Sequence, residues 1–240
     1  MAEKIALVTG ANRGLGLGTA AALGKLGYKV LMTGRTLSKV EEAADALKKE
    51  GLDIECYQAD VTSDEVVRKL AAVIKDRWGH LEVLVNNAGV LLEASDPTKS
   101  ENASVFKVDP QVVMKAINTN SVGPMRMIQA FVPLMQIKNY GRIVNVSSGM
   151  GQLSDMDGKF PGYRMSKTAL NALTVLTSKE LAGTNIKVNA VCPGWVKTDM
   201  GGPSANRKLE EGVKGIVWAA ILPDNGPTGG YFRDGEPLPW

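Results

Sequence analysis

Short apolar runs alternate with longer amphipathic stretches along this chain. The short runs hold nearly continuous apolar segments such as IALV, VLV and IVNV, and the third of them, DIECYQA, is the most polar. Apolar runs of this length are typical of strands that are buried on both faces of a parallel sheet. The pattern predicts strands at residues 4–9, 28–33, 53–59, 81–86, 141–147, 186–192 and 230–233.

The longer stretches predict helices at residues 15–26, 37–50, 63–78, 110–137 and 162–181. Ser63 is a good capping residue for the third of them, and Asp64 and Glu65 suit the positive start of a helix. Alternating strands and helices predict an α/β fold, with a doubly wound, mostly parallel sheet of about seven strands and helices on both faces. No low-complexity linker or repeat divides residues 1–240, so we expect a single domain.

Two segments interrupt this alternation, and both follow predicted strand ends. Residues 91–109 are polar without periodicity, and residues 197–212 are rich in Gly, Ser and Pro. Open α/β sheets bind their ligands at the edge formed by these strand ends. Either segment could be a plain surface loop. We favour that interpretation for the first, and we interpret the second as a substrate lid.

Composition narrows the class of protein. The chain has 240 residues and a formal net charge of +3, with no block of Lys or Arg, so nucleic acid is not an expected partner. No run approaches the roughly 20 apolar residues of a membrane span, and the N-terminus lacks the features of a signal peptide. The two cysteines, Cys56 and Cys192, form no CxxC pair, which favours a reducing compartment. We therefore expect a cytoplasmic protein without a membrane partner.

The run TGANRGLGLG at residues 9–18 lies between the first predicted strand and the first predicted helix. Gly18 comes too early for the spacing G-x-G-x-x-G, whereas Gly10, Gly14 and Gly16 read as G-x-x-x-G-x-G. Glycines there allow positive φ and let the backbone approach a pyrophosphate, while the helix start supplies free N–H groups. The run therefore predicts a phosphate-binding turn.

With this spacing the chain resembles the short-chain dehydrogenase/reductase family, whose fingerprint TGxxxGxG reads TGANRGLG here. Further family motifs follow in family order over essentially the whole chain. They are Asn86-Asn87-Ala88-Gly89 for NNAG, Asn120-Ser121-Val122-Gly123 for N-x-x-G, Ser148-Gly149-Met150-Gly151 for S-x-x-G, Tyr163 and Lys167 for YxxxK, and Pro193-Gly194 with Thr198 for PGxxxT. The resemblance implies a Rossmann fold and a nicotinamide cofactor. The stretches CPGWVKTDMGGP and GGYFRDGEPLPW are similar to the carbonyl-reductase branch of the family.

The second predicted strand ends in LMTGRT, where an NAD enzyme would carry an acidic residue for the ribose 2′-hydroxyl. Arg35 stands there instead, and Arg13 lies in the glycine turn. Guanidinium groups suit a 2′-phosphate, so we expect NADP(H), although both arginines could simply be solvated. Together with the resemblance, this predicts a cofactor site formed by Gly10, Asn12, Arg13, Gly14, Leu15, Gly16, Arg35, Asp60, Val61, Asn87, Ala88, Gly89, Tyr163, Lys167, Pro193, Gly194, Val196 and Thr198.

Tyr163 and Lys167 are four residues apart, which places them on one helix face. A nearby ammonium and an oxidised nicotinamide both favour the phenolate, so the phenol can pass its proton to a carbonyl oxygen as hydride arrives. Ser148 can donate a hydrogen bond to the same oxygen. The family resemblance implies that Asn120 holds a water in a proton relay to Lys167, and that Lys167 binds the nicotinamide ribose. No cluster of acidic side chains suggests a metal.

The expected function is that of an NADPH-dependent reductase acting on a small ketone or aldehyde. A 3-oxoacyl-carrier-protein reductase and a non-catalytic NADP-binding sensor are the alternatives. Some monomeric carbonyl reductases carry a long insertion before the catalytic tyrosine, but only fourteen residues separate Ser148 from Tyr163 here. The helices beginning near residues 110 and 162 are therefore free to pair, and we expect a homo-oligomer, either a dimer or a tetramer.

Overall fold

The computed structural model describes residues 3–94, 98 and 100–240. Its eight strands are β1 (Ile5–Thr9), β2 (Lys29–Gly34), β3 (Ile54–Gln58), β4 (Val83–Asn86), β5 (Gly141–Val146), β6 (Ile186–Val191), β7 (Tyr231–Arg233) and β8 (Glu236–Pro237). They form one sheet in the order β3-β2-β1-β4-β5-β6-β7-β8. All pairings are parallel except that of β7 with β8. The expected doubly wound, mostly parallel sheet is confirmed, with a two-residue eighth strand added after the turn at Asp234 and Gly235.

The helices are α1 (Gly14–Lys25), α2 (Leu37–Lys49), α3 (Asp64–Trp78), α4 (Pro110–Ile117), α5 (Gly123–Gln136), α6 (Pro161–Glu180) and α7 (Leu209–Ala220). They differ from the sequence-based prediction at two places. The single helix expected at residues 110–137 is divided into α4 and α5 by a π-helical turn at Asn118–Val122. Helix α7 was not predicted, because its sequence begins inside the segment at residues 197–212, rich in Gly, Ser and Pro, that we interpreted as a substrate lid.

Two apolar cores lie on the two faces of the sheet. In β1, Ala6 and Val8 point to the core that includes residues of α1, α2 and α7. Ile5 and Leu7 point to the opposite core, which includes residues of α3 and α5. Since successive side chains of a strand point to opposite faces, burial on both sides explains why the strand segments are apolar without alternation.

The strand order brings the predicted motifs to one edge of the sheet. The chain passes from β3 at one end back to β4, which pairs with β1 on the side opposite β2. The order of connection reverses at this point, and a crevice opens between the carboxyl ends of β1 and β4. The glycine turn follows β1, the NNAG motif follows β4, Ser148 follows β5, and Pro193 follows β6. In the described part of the chain, no helix combines the length and the apolar character needed to cross a membrane.

Candidate active site

A cavity of about 430 Å³ opens at the carboxyl edge of the sheet, between the glycine turn and the NNAG motif. All the predicted cofactor residues line it except Gly194 and Val196, which line a second, adjoining cavity. Gly34, Thr62 and Lys197 also line the first cavity and were not predicted. The structure therefore brings together residues that are far apart in the sequence around one elongated space.

The glycine turn approaches the NNAG motif so closely that side chains cannot fit. Gly10 and Gly14 have positive φ, at 62° and 53°. A Cβ atom on Gly16 would collide with the carbonyl oxygen of Gly10 and would lie 2.5 Å from Asn87 Nδ2. That amide nitrogen donates hydrogen bonds to the carbonyl oxygens of Thr9, at 2.8 Å, and Gly10, at 3.1 Å. The amide thereby fixes the shape of the turn.

The N-terminus of α1 faces the cavity without a side chain that satisfies it. Helix α1 has no side-chain cap and no acidic residue in its first turn. Its first N–H groups and the positive end of its dipole are therefore available to an anion. This donor set fits the pyrophosphate of a dinucleotide.

Two guanidinium groups, those of Arg13 and Arg35, line the same cavity. Arg35 is exposed, and Arg13 Nη1 donates to Asp199 Oδ2 at 2.6 Å. Both members of this pair are about 70% exposed, so the bond is weak and can be exchanged for one to a ligand phosphate. Asp60 is engaged by Thr62, whose backbone N–H and hydroxyl donate to its Oδ1 atom at 2.9 and 2.7 Å. The cationic groups at this end fit a 2′-phosphate.

Tyr163 and Lys167 lie on the first turns of α6 and are almost completely buried. The Lys167 ammonium donates to the carbonyl oxygen of Val146 at 2.8 Å and lies 5.7 Å from the centre of the Tyr163 ring. Burial raises the pKa of Tyr163 to about 12, although a hydrogen bond with Ser148 opposes the rise. Burial also lowers the pKa of Lys167 to about 8. We expected the ammonium to lower the pKa of the phenol, but in this structure the pKa of Tyr163 is raised, chiefly by burial.

Asn120 lies in the π-helical turn with 1% of its surface exposed, and the protein engages both ends of its amide. Its Oδ1 atom accepts the N–H of Val90 at 2.8 Å, and its Nδ2 atom donates to the carbonyl oxygen of Val90 at 2.8 Å. Nδ2 also donates to the hydroxyl of Ser166 at 2.9 Å, which in turn donates to the Tyr163 carbonyl at 2.8 Å. Asn120 therefore ties the loop after β4 to the start of α6.

Asn120 and Lys167 also face a common space beside Gly89. A Cβ atom on that glycine would lie 3.4 Å from Asn120 Oδ1 and 3.6 Å from Lys167 Nζ. A small polar group placed there could contact both atoms, which is the arrangement that the expected proton relay requires.

A second cavity, of about 1030 Å³, adjoins the first and is lined by Ser148 and Tyr163. Leu91 and Ser100 also line it, so the described part of the segment at residues 91–109 contributes to a wall, whereas we expected only a surface loop. Residues 95–97 and 99 of this segment lie outside the described residues. Trp195 lines the cavity too, and its indole N–H donates to the Gly201 carbonyl at 2.7 Å.

Sequence reasoning missed three residues of this region. Glu93 Oε1 accepts the backbone N–H of Tyr163 at 2.9 Å and so holds the start of α6. Cys192 and Arg233 both line the larger cavity, and the Arg233 guanidinium donates to the Cys192 sulfur at 3.2 Å. Arg233 lies in β7, within the stretch GGYFRDGEPLPW, but no motif assigned it a role, and the pairing of β7 with β6 reveals its position.

The described residues contain no group of three or more His, Cys, Asp or Glu side chains that could hold a metal ion. The site at this edge of the sheet holds a buried phenol, a buried ammonium, a serine hydroxyl and the donors that suit a dinucleotide.

The comparisons with known proteins agree with this geometry. A sequence profile of the family described as short chain dehydrogenase matches residues 4–209. Carbonyl reductase (NADPH) 1 of Macaca fascicularis is 31% identical over 283 residues, covering 99% of this chain and 98% of that protein. The solved structure of carbonyl reductase Sniffer of D. melanogaster has a TM-score of 0.87 at 32% identity, covering 100% of both chains. That of the NADPH-bound carbonyl reductase from chicken fatty liver has a TM-score of 0.85 at 27% identity, again covering 100% of both. This chain therefore belongs to the short-chain dehydrogenase family.

Proposed function

We propose that this protein is an NADPH-dependent reductase that delivers a hydride to the carbonyl of a ketone or aldehyde, with Tyr163 as the proton donor. One observation carries the proposal: Tyr163 lines both the cavity that suits the dinucleotide and the larger cavity beside it. A carbonyl group in the larger cavity could therefore meet the cofactor and the phenol at one place.

The proposed cofactor is NADP(H), which supplies the hydride when bound. Arg13 and Arg35 would hold its 2′-phosphate, and the free N–H groups at the start of α1 would hold its pyrophosphate. NADPH is part of the names of two of the similar proteins, which supports the same choice. The other predicted cofactor residues that line the cavity would form its walls.

The ionisation of Tyr163 suits a proton donor. With a pKa of about 12, the phenol is fully protonated at neutral pH. The hydroxyl of Ser148 interacts with the phenol and can donate to the same carbonyl oxygen, stabilising the negative charge that develops there. The pKa of Lys167 is about 8, closer to neutrality than that of a free lysine, so this group can take part in returning a proton to Tyr163. Asn120 positions the start of α6 through Val90 and Ser166.

NADPH oxidation across a panel of ketones and aldehydes tests the proposal, with Tyr163→Phe as the test variant and Tyr140→Phe as its control. General acid catalysis contributes roughly 100- to 10,000-fold, so Tyr163→Phe should lose at least that lower factor in kcat and keep its NADPH affinity. Tyr140→Phe should behave as the wild type. Unchanged turnover in Tyr163→Phe would remove the tyrosine from the reaction.

Two outcomes would favour the other candidates. If the protein reduces a 3-oxoacyl thioester of an acyl carrier protein much faster than it reduces simple aryl ketones, the result would favour a 3-oxoacyl-carrier-protein reductase. Tight NADPH binding without turnover of any carbonyl would favour a sensor. Arg35→Asp should raise the ratio of NADH to NADPH turnover, with Arg68→Asp on α3 as a charge-matched control. An unchanged ratio would contradict the assignment of Arg35.

We also propose that residues 1–240 form a single domain and that copies of the chain assemble into a homo-oligomer in the cytoplasm. Apolar side chains are exposed on α4 and α6, including Met114 at 59%, Met165 at 53% and Leu176 at 60%. Exposed apolar groups on two adjoining helices favour pairing between subunits. Light scattering at micromolar concentration should give the mass of a dimer or tetramer, and a monomer mass would refute this part.

A further inference from the structure

The guanidinium group of Arg233 lies close to the proposed reaction centre. It lines the larger cavity, and its Nη2 atom donates to Cys192 Sγ at 3.2 Å. A Cβ atom built on Gly149 would lie 3.1 Å from the same nitrogen. Gly149 directly follows Ser148, so the cation stands beside the residue next to the proposed hydrogen-bond donor for the carbonyl.

Among the described residues, no carboxylate lies within ion-pair distance of Arg233. The nearest candidate in the sequence, Asp234, is occupied, because both its oxygens accept hydrogen bonds from Arg207 at 2.7 Å. The Nε atom of Arg233 is buried without a partner. Its one hydrogen-bond acceptor in the described structure is the Cys192 sulfur, and sulfur is a weak acceptor.

The Cys192 sulfur is itself shared by several donors. The backbone N–H of Gly149 donates to it at 3.1 Å and that of Gly194 at 3.4 Å, in addition to the guanidinium. Because three donors share the sulfur, its hydrogen bond to Arg233 is weak. A partly buried cation without a matching anion is unfavourable unless a ligand supplies one.

We infer that Arg233 is a specificity-determining residue that binds a carboxylate on the carbonyl substrate, and this inference rests on the proposed reductase function. Guanidinium groups bind carboxylates through paired, charge-assisted hydrogen bonds. Ser148 precedes Gly149 in the sequence, and the Arg233 guanidinium lies beside Gly149 in space. The carboxylate of the substrate must therefore lie within a few bonds of its carbonyl group. The substrate class is therefore the oxo acids, in preference to neutral ketones of the same shape.

A matched pair of substrates tests the inference: phenylglyoxylate and its methyl ester, each followed by NADPH oxidation. The wild type should have a higher kcat/KM for the acid. Loss of a hydrogen bond to a charged group should lower the acid's kcat/KM by roughly ten- to hundredfold in Arg233→Met, and should leave that of the ester within about twofold. Arg233→Lys keeps the charge and should retain part of the preference.

Arg164→Met is the control for a general effect of charge. Arg164 also lines the larger cavity and has no carboxylate partner among the described residues, since its Nε atom donates to the Lys159 carbonyl at 3.0 Å. This variant should keep the preference for the acid. If Arg164→Met loses the preference and Arg233→Met keeps it, the assignment to Arg233 is overturned.

The reductase proposal and the inference fail in different ways. If the wild type reduces no carbonyl in the panel, the proposed function fails. If its kcat/KM for the ester equals that for the acid, the function stands and the inference is overturned. A measurement on the wild type alone covers the case in which Arg233→Met does not fold. Benzoate should inhibit ester reduction competitively at roughly one tenth of the concentration that benzamide requires, and equal inhibition would overturn the inference.

Discussion

Replacing Lys167 with methionine should make the folded protein more stable at neutral pH while removing activity. The Lys167 ammonium is 4% exposed and has no carboxylate partner among the described residues. Burial of this charge is unfavourable, and it lowers the pKa from 10.5 to about 8. Methionine has a similar length and no charge, so it fills the same space without that penalty.

The size of the effect follows from the pKa shift. A shift of one unit corresponds to about 1.4 kcal/mol, so the charged form of Lys167 is disfavoured in the folded state by about 3 kcal/mol. The substitution also leaves the Val146 carbonyl oxygen without its donor, which costs about 1–3 kcal/mol. At pH 7, Lys167→Met should therefore be up to about 2 kcal/mol more stable than the wild type.

The dependence on pH separates the charge from the lost hydrogen bond. Because the pKa of Lys167 is lower in the folded state, the folded protein binds fewer protons than the unfolded chain between pH 8 and pH 10.5. The penalty on the wild type is full below pH 8 and disappears as the pH rises through this window. From pH 7 to pH 10.5 the wild type should gain about 3 kcal/mol of unfolding free energy relative to the variant, so that the wild type becomes the more stable of the two at pH 10.5.

Urea unfolding at a series of pH values measures this difference, provided that the m-values agree. Lys179→Met is the control, since it removes an exposed lysine from the same helix. The free energy of unfolding of this control should differ from that of the wild type by the same amount at every pH. If the free energy of unfolding of Lys167→Met also differs from that of the wild type by a constant amount between pH 7 and pH 10.5, burial does not penalise the Lys167 charge and the reasoning is refuted.

Other substitutions test other parts of the site. Gly16→Ala should weaken NADPH binding at least tenfold in a fluorescence titration, because its Cβ atom would push the glycine turn out of shape; Gly158→Ala has open space and should not. Asn120→Leu should lower the free energy of unfolding by about 3 kcal/mol, since it leaves the backbone N–H and the carbonyl oxygen of Val90 unpaired, and a loss below about 1 kcal/mol would contradict this. Burial raises the pKa of Tyr163 to about 12, so the wild type should lose stability between pH 10 and pH 12, and Tyr163→Phe should lose less; equal losses would contradict the shift.

The sequence by itself predicted the sheet and most of the cofactor cavity. Strands buried on both faces must be apolar throughout, and this pattern is visible without tertiary contacts. The glycine turn and the motifs at the strand ends were equally visible, because a parallel sheet brings the carboxyl ends of its strands to one edge. Apart from Gly194 and Val196, the predicted cofactor residues line one cavity for this reason.

Helix α7 was decided by packing. The sequence of α7 contains Gly212 and Gly215, and glycine disfavours an isolated helix. In the structure, Gly18 of α1 lies so close to α7 that a Cβ atom there would approach Val213 Cγ2 at 2.7 Å. The small residues allow the two helices to pack closely, and that contact stabilises α7 where its local preference would not.

The ionisation of the site and the substrate preference that we infer for it also depend on the tertiary structure. The spacing of Tyr163 and Lys167 predicts that they share a helix face, but burial sets the pKa of each, and burial depends on segments that are distant in the sequence. No motif assigned a role to Arg233, and it reaches the larger cavity only because β7 pairs with β6. Local patterns determined which residues could do chemistry here, whereas long-range packing determined how much water, charge and space each of them meets.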